Sequence, residues 1–337
     1  MVQAATRSCS NPSCDVAETG KCVEGLELSA CPTFGKLVAD LAQKAAIVQS
    51  EATTPQSVKL SSGERLNVEQ VTSLLKAHAS RVIAFIGPSD AGKTSLIAGI
   101  YERFQLGQCL THDFVRSSTL YAFERACHHA RAVSRRLKPS IDRTRIGGET
   151  AFYHLGLHQK DPQTAIDFFL ADRAGEEYRQ IMDDISTAYN FPELGRADVI
   201  TMLLDGARLL DSDTRHVAKG EIRQMLQAFV DSDLSRSGQR LAFVLTKYDE
   251  IVASEVTDRA EQDFLSVVAQ SKALFGGRFY SVATFRVAAS PHNKSVGRGF
   301  GLDELLKFYS LPIPATKIEL KDKLPPSRIF LQLKVDV

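Results

Sequence analysis

Residues 87–94 combine the residue types and the spacing that can bind a phosphate group. They read Gly-Pro-Ser-Asp-Ala-Gly-Lys-Thr, which is the pattern GxxxxGK[ST]. Gly87 and Gly92 permit backbone angles that direct several N–H groups at one phosphate. Lys93 adds a positive charge for the outer phosphates, and the Thr94 hydroxyl can bind Mg²⁺. The residues predicted to contact the phosphates are Gly87, Ser89, Asp90, Ala91, Gly92, Lys93, Thr94 and Ser95.

The flanking elements favour phosphate binding over a glycine-rich structural turn. Residues 81–86 form an apolar, β-branched run that is typical of a buried strand, and a helix is predicted over residues 93–105. A helix that begins at the loop directs its N-terminal dipole toward a bound anion. The loop is therefore predicted to bind a nucleotide.

A carboxylate suited to Mg²⁺ follows another apolar run. Asp172 and Gly175 belong to the pattern DxxG, directly after a strand predicted at 164–171. Asp172 can hold Mg²⁺ through water, and the Gly175 N–H can contact a γ-phosphate and respond to its loss. A simple strand-to-helix turn is the alternative interpretation.

A third pattern can recognise the base of the nucleotide. Thr246, Lys247 and Asp249 read TKxD after the apolar run at 241–245. The Asp249 carboxylate can accept hydrogen bonds from guanine N1 and N2, which adenine cannot offer, and the Lys247 stem can lie along the base. Ser290 closes the last predicted strand, where a further base-contacting loop is expected.

These residues need a scaffold of alternating strands and helices. From residue 81 onward, near-continuous apolar runs alternate with helical patterns, which indicates an α/β fold with a doubly wound, mainly parallel sheet. Strands are predicted at 81–86, 151–157, 164–171, 198–204, 240–246 and near 286–290. Helices are predicted at 36–50, 67–79 with Asn67 as N-cap, 93–105, 118–137, 214–231, 255–275 and from 301.

Length and composition fit a folded protein with more than one part. The chain has 337 residues, of which 44% are hydrophobic, and its 41 basic and 40 acidic side chains nearly cancel. This balance gives no overall case for nucleic-acid binding. No apolar run reaches the roughly 20 residues of a membrane span, and the N-terminus lacks an apolar signal core, so a cytoplasmic location is expected.

Four of the six cysteines lie within the first 31 residues, with the spacing C-x4-C-x7-C-x8-C. In a reducing cytosol, clustered cysteines are more often metal ligands than disulfides, and four thiolates suit tetrahedral Zn²⁺. A bound metal would supply folding energy to a segment with few apolar residues. A structural zinc site is predicted, and free thiols and disulfides are the alternatives. Its ligands would be Cys9, Cys14, Cys22 and Cys31.

The three nucleotide motifs, in this order, resemble those of the Ras-like, translation-factor-related (TRAFAC) class of P-loop GTPases. The resemblance spans residues 81–310, and the cysteine-rich leader is most similar to bacterial GTPases of the double-GTPase group, which are associated with conflict or defence systems. It implies GTP or GDP and Mg²⁺ as ligands, and a protein effector or regulator as partner. The chain is accordingly divided into a cysteine-rich segment at 1–35, a helical or linker region at 36–80, the GTPase domain at 81–310 and a tail at 311–337.

The resemblance also assigns Mg²⁺ to Thr94, Asp172 and a switch threonine ahead of the second predicted strand. Thr144 is the choice for this threonine, and Thr111 and Thr119 are the alternatives. These assignments make the metal site depend on three separate segments of the chain.

Two departures from the family pattern concern hydrolysis. Glu176 stands where many Ras-like members place a water-orienting glutamine, and its carboxylate would repel the γ-phosphate, so hydrolysis is expected to be slow. Asp90 places a further acid inside the phosphate loop. The predicted catalytic residues are Lys93, Glu176 and Arg143. Arg143, or else Arg145, would stabilise transition-state charge in cis, and a solvated loop arginine is the alternative.

Two segments lie outside these motifs. Residues 116–145 are locally basic, which indicates a solvated helix face or else a surface for an acidic partner, lipid headgroups or nucleic acid. Apolar residues alternate from Ile329 to Val337, which predicts an edge strand, with a partner-docking strand or disorder as alternatives. The chain as a whole is predicted to be a GTP-binding switch with slow, Mg²⁺-dependent hydrolysis. A non-hydrolysing GTP-binding module, a P-loop ATPase and a scaffold with structural nucleotide are the alternatives.

Overall fold

The chain divides into two units, residues 1–60 and residues 61–337. The computed structural model describes residues 9, 11, 13–34, 61–128, 150–160, 164–236 and 238–313. Several predictions lie outside the described residues, namely the helix at 36–50, Arg143, Thr144, Arg145, residues 129–137 of the predicted second helix and the strand that ends at Val337.

A sheet of seven strands, counted over the described residues, forms the centre of the larger unit. The strands are β1 (Ser80–Ile86), β2 (His112–Arg116), β3 (Ala151–Gln159), β4 (Thr164–Asp172), β5 (Val199–Asp205), β6 (Arg240–Thr246) and β7 (Ser281–Arg286). Their order is β2-β3-β4-β1-β5-β6-β7. β3 is antiparallel to β2 and β4, whereas the pairs from β4 to β7 are parallel. The predicted α/β fold with a mainly parallel sheet is confirmed.

Apolar side chains cover both faces of this sheet. In β6, Leu241, Phe243 and Leu245 belong to one buried cluster, and Ala242 and Val244 belong to the other. A strand that is buried on both faces has a continuous run of apolar residues, and for this reason these strands could be predicted from the sequence. Over its described residues, the helices of this unit are Val68–Leu75, Lys93–Gln105, Leu120–His128, Glu177–Asp183, Pro192–Arg196, Gly206–Leu210, Arg215–Asp231, Tyr248–Val252, Thr257–Phe275 and Leu302–Ser310, with 3₁₀ turns at Ile185–Asn190 and Gly276–Arg278.

The strand at the centre of the sheet joins distant parts of the chain. β1 lies between β4 and β5, with Ala84 opposite both Ala171 and Ile200. The phosphate loop therefore emerges beside the carboxyl end of β4, which carries Asp172. Within the described part of the chain, no helix is long and apolar enough to cross a membrane.

The helix Val68–Leu75 begins as predicted but ends earlier. The Asn67 side chain accepts a hydrogen bond from Gln70 N, and the Gln70 side chain accepts one from Asn67 N, which completes a capping box. The helix stops at Leu75 instead of residue 79, because the carbonyl of Ala79 pairs with the N–H of Asp167 as the chain enters the sheet.

The last strand was predicted in the wrong place. β7 ends at Arg286 instead of spanning residues 286–290. The carbonyl of Val287 accepts a hydrogen bond from Tyr248 N–H at 3.2 Å, and Ala288 forms an antiparallel bridge with Phe300. The apolar residues after Arg286 therefore close a loop beside the TKxD motif and do not extend the sheet.

Candidate nucleotide-binding site

The phosphate loop follows β1 and leads into the helix Lys93–Gln105. Gly92 has φ +88° and Asp90 has φ +61°, so both lie in the left-handed region that lets the backbone curl. A Cβ at Gly87 would lie 3.1 Å from the Cβ and from the carbonyl oxygen of Leu203. The loop thus passes tightly against β5, and a side chain at the first glycine would press on Leu203.

The ammonium of Lys93 lies inside this loop. Its Nζ donates hydrogen bonds to the carbonyl oxygens of Gly87 at 2.9 Å and Pro88 at 2.8 Å. Burial lowers the pKa of Lys93 to about 8, although nearby carboxylates, Asp172 first, act in the opposite direction. The buried hydroxyl of Ser89 has no hydrogen-bond partner among the described residues. An anionic group would complete this arrangement, because it would pair with the cation and with the hydroxyl.

Two of the three predicted Mg²⁺ residues meet, Thr94 in the first turn of the helix Lys93–Gln105 and Asp172 at the end of β4. The Thr94 hydroxyl donates a hydrogen bond to Asp172 Oδ1 at 3.2 Å, and Asp172 is buried. Mg²⁺ prefers oxygen ligands and is usually bound through one or two protein groups together with phosphate. The residues present therefore fit Mg²⁺ bound together with a nucleotide.

Gly175 lies directly against the phosphate loop. A Cβ at this position would come within 2.6 Å of Lys93 Nζ and 2.6 Å of Ser89 N, so a side chain does not fit here. Glu176 follows at the start of the helix Glu177–Asp183 and is half-buried. Its carboxylate acts on the pKa of Lys93, which places the acid near the phosphate end of the site.

The TKxD motif lies next to the phosphate loop at the end of β6. A Cβ added to Gly92 would be 3.8 Å from the Thr246 Cβ. Lys247 has φ +52°, and its Nζ forms an ion pair with Asp205 Oδ2 at 2.7 Å. Asp205 ends β5, so this pair holds the lysine stem across two strand ends. The structure thus brings the predicted phosphate and base residues together.

A loop after β7 encloses Asp249. The buried carboxylate accepts a hydrogen bond from His292 N–H at 2.8 Å. The backbone carbonyl of Asp249 accepts one from Asn293 Nδ2 at 3.2 Å and one from Ser295 Oγ at 2.8 Å. The predicted loop residue Ser290 is half-buried and precedes this group. Residue type alone did not reveal His292, Asn293 and Ser295, because their bonds depend on the folded loop.

The two alternative switch threonines have partners in the sheet. The Thr119 hydroxyl accepts a hydrogen bond from His154 N–H at 2.9 Å. The Thr111 hydroxyl bonds His112 Nδ1 at 2.7 Å, and its backbone carbonyl accepts from Lys160 N–H, past the end of β3. Both residues therefore contribute to the edge of the sheet.

A buried ionic cluster lies behind the DxxG motif. Arg173 Nη1 is 2.6 Å from Glu177 Oε2, and its Nε is 2.9 Å from Glu193 Oε1 without the alignment of a hydrogen bond. Arg173 also donates hydrogen bonds to the Thr150 hydroxyl and to the Asn190 carbonyl. Since Thr150 directly precedes β3, the cluster links that strand to the DxxG segment. Its only signal in the sequence was the four-residue spacing of Arg173 and Glu177.

In the smaller unit, two of the predicted zinc ligands meet one hydroxyl. Cys9 Sγ and Cys31 Sγ each lie 3.3 Å from Thr33 Oγ1. The hydrogen bond with Thr33 lowers the pKa of Cys31. All six cysteines lie within the described residues, and none forms a disulfide. Among the described residues, no group of three or more His, Cys, Asp or Glu side chains is placed to hold a metal ion, so the predicted four-cysteine site is not assembled.

The parallel sheet and the glycine-rich loop at the end of β1 define a P-loop nucleotide-binding protein. The model of the Double-GTPase 2 family matches residues 81–310, and the chain belongs to this family. Its members are P-loop GTPases, as the order of the motifs predicted. No curated protein matches the chain.

Several solved structures are similar to this chain at low identity. One is the signal recognition particle receptor SRb-GTP/SRX complex from Chaetomium thermophilum, with 17% identity over 68% of this chain and 96% of that one, at a TM-score of 0.38. A bacterial selenocysteine-specific elongation factor, EF-Sec, has 15% identity over 68% of this chain and 28% of that one, at a TM-score of 0.35. Sup35 complexed with GMPPNP has 17% identity over 74% and 50%, at 0.36. The family assignment rests on the family model.

Proposed function

We propose that the protein is a GTP-binding switch that hydrolyses GTP slowly, with Mg²⁺ held by Thr94 and Asp172. The approach of Gly175 to Lys93 and Ser89 gives this proposal its strongest support. A backbone N–H at this position would gain or lose a partner with the γ-phosphate, and the helix that follows would respond. Membership of the family supports guanine nucleotides as the ligands.

The chain's own groups would act on the phosphates through charge and position. Lys93 and the loop N–H groups would stabilise the negative charge that develops on the phosphate oxygens. Mg²⁺, when bound, supplies further charge neutralisation. Glu176 would orient the attacking water, but its negative charge next to the γ-phosphate supports a slow reaction. Arg143 as a cis arginine and Thr144 as the switch ligand are proposed from the sequence alone.

Asp249 would select guanine. The hydrogen bond from His292 fixes one carboxylate oxygen, and Asp249→Asn would replace an acceptor by a donor that guanine cannot use. We expect the variant to lose roughly tenfold or more in GTP and GDP affinity, because an unmatched buried donor costs about 1–3 kcal/mol. Binding of GTP, GDP and ATP analogues measures the change. An unchanged nucleotide preference would favour a P-loop ATPase.

The acid at Glu176 raises the alternative that the protein is a GTP-binding recruitment module that does not hydrolyse GTP. A single-turnover assay separates this module from a hydrolysing switch. GDP formation from bound GTP should exceed the level of Lys93→Ala, which removes the phosphate cation. GDP at that same low level, with and without cellular partners, would favour the recruitment module. Capture of an effector from a cell extract by the GTP-bound but not the GDP-bound protein would support the switch.

The proposal also includes a zinc site and a cellular role. A structural Zn²⁺ on Cys9, Cys14, Cys22 and Cys31 is proposed from the spacing of these cysteines in the sequence alone. Metal analysis of the reduced protein tests this site. Less than one zinc ion per chain would favour the alternative that the four cysteines are free thiols. A role in a bacterial conflict or defence system is proposed from the family alone, and a cytoplasmic location is proposed from the sequence.

A further inference from the structure

An arginine outside the nucleotide motifs contacts the metal-side acid. Arg65 Nη1 lies 3.1 Å from Asp172 Oδ2, and the side chains are 29% and 1% exposed, respectively. The other oxygen of Asp172 accepts the hydrogen bond from Thr94. One buried carboxylate is therefore shared by a guanidinium and by the hydroxyl proposed to bind Mg²⁺.

The backbone on both sides of Arg65 is tied to the sheet unit. Leu66 and Phe152 exchange two backbone hydrogen bonds of 2.9 Å at the start of β3. The carbonyl of Gly63 accepts a hydrogen bond of 2.9 Å from Ala122 N–H. The segment that carries Arg65 is thus held by backbone hydrogen bonds on both sides. These bonds place the Arg65 side chain next to Asp172 and not in open solvent.

A guanidinium and a divalent cation compete for one carboxylate. Without metal, a cation near a buried carboxylate offsets the cost of its desolvation. Mg²⁺ keeps several waters in near-octahedral geometry, so it needs space around the oxygens it uses. Two cations close to one carboxylate also repel each other. A Mg²⁺ ion held by Asp172, directly or through water, would therefore favour movement of Arg65 away from the carboxylate.

We propose that Arg65 is a resident counter-cation of Asp172 that Mg²⁺ must displace. Arg65 is a positioning residue, since it acts through Asp172 and sets the Mg²⁺ concentration at which nucleotide is retained. The displacement also transmits metal binding to residues 61–66, because Arg65 belongs to that segment. This inference deepens the proposed function and rests on Asp172 serving Mg²⁺.

The test is a Mg²⁺ titration of fluorescent GDP binding to the full chain. Arg65→Ala should lower the Mg²⁺ midpoint by roughly fivefold or more, the scale of an ordinary coupling between two sites. Arg65→Lys keeps the charge and should restore the midpoint to near that of the wild type. Arg116→Ala is the matched control, because Arg116 pairs at 2.9 Å with Asp167, another carboxylate of β4. The control should leave the midpoint unchanged.

A second measurement separates competition from loss of folding. Without Mg²⁺, the melting temperature of Arg65→Ala should be lower than that of the wild type. Addition of Mg²⁺ and GDP should raise the melting temperature of this variant by more than it raises that of the wild type. If this variant does not fold, Arg65→Gln removes the charge with less loss of side chain. A midpoint that stays constant or rises on removal of the charge overturns the inference and leaves the GTP switch standing. If GDP binding to the wild-type protein does not depend on the Mg²⁺ concentration, the proposed function itself is overturned.

Discussion

The buried Arg173 cluster leads to a quantitative prediction for stability. Arg173→Leu would leave Glu177 and Glu193, whose side chains are 6% and 0% exposed, without their cation. It would also remove the guanidinium from the face of Phe191, 4.4 Å from the ring centroid. Removing one partner of a buried ion pair costs about 3–5 kcal/mol, because the remaining charge stays desolvated. Since leucine recovers part of the apolar packing, we expect a loss near the lower value, about 3 kcal/mol, in unfolding free energy at neutral pH.

The loss should shrink in acid. Burial raises the pKa of Glu193 above its ordinary value of 4.5, although Arg173 acts in the opposite direction. A carboxyl with a raised folded pKa destabilises the protein fully above that folded pKa, and the effect vanishes as pH falls below the unfolded value. Without Arg173 the pKa of Glu193 rises further. The difference between Arg173→Leu and the wild type should therefore narrow as pH falls from neutral toward 4.5.

Urea unfolding between neutral and mildly acidic pH measures both effects. The double variant Arg173→Leu/Glu193→Gln removes the buried charge together with its cation, so it should be more stable than Arg173→Leu alone. Arg179→Leu is a matched control, because its side chain is 51% exposed and its partner Glu221 keeps Arg208; it should lose less than about 1 kcal/mol. A loss in Arg173→Leu no larger than in this control, or one that grows in acid, would refute the reasoning.

Three further predictions concern the site and its support. Glu176→Gln removes a negative charge beside the γ-phosphate and should raise the single-turnover rate of GTP hydrolysis by about tenfold; an unchanged rate would contradict this role. Gly175→Ala places a Cβ within 2.6 Å of Lys93 Nζ, so GTP affinity should fall more than GDP affinity in fluorescent-nucleotide titrations; equal losses would argue against γ-phosphate contact. Asn67→Ala breaks the capping box and should cost about 1 kcal/mol in urea unfolding, without a change in nucleotide affinity.

The sequence predicted the elements that local patterns define. The central strands are buried on both faces, so their apolar runs were visible, and the helix Lys93–Gln105 was predicted to the residue. The phosphate loop that begins at Gly87 needs glycines for its backbone conformation, and the TKxD motif needs a carboxylate for the chemistry of base recognition. Those positions could be read without knowledge of the fold.

The features that were missed depend on contacts between distant residues. β2 is a short edge strand with mostly exposed side chains, so it has no apolar pattern. Arg65 and Asp172 are 107 residues apart, and His292 and Asp249 are 43 apart. Nothing in a local window indicates such pairs. The last strand was misplaced because an apolar run after Arg286 is as suitable for a buried loop as for a sheet.

The place of β1 between β4 and β5 has a consequence for the newly made chain. The N–H of Val82 in β1 donates a hydrogen bond at 2.8 Å to Asp198, which is 116 residues further on. During synthesis, β1 and the phosphate loop leave the ribosome long before the strands that flank them. Closing so long a loop is slow, because chain entropy is lost before the contacts form. A nucleotide site built on β1 would therefore be completed only after β4 and β5 have been made, and Asp249 follows both strands in the chain.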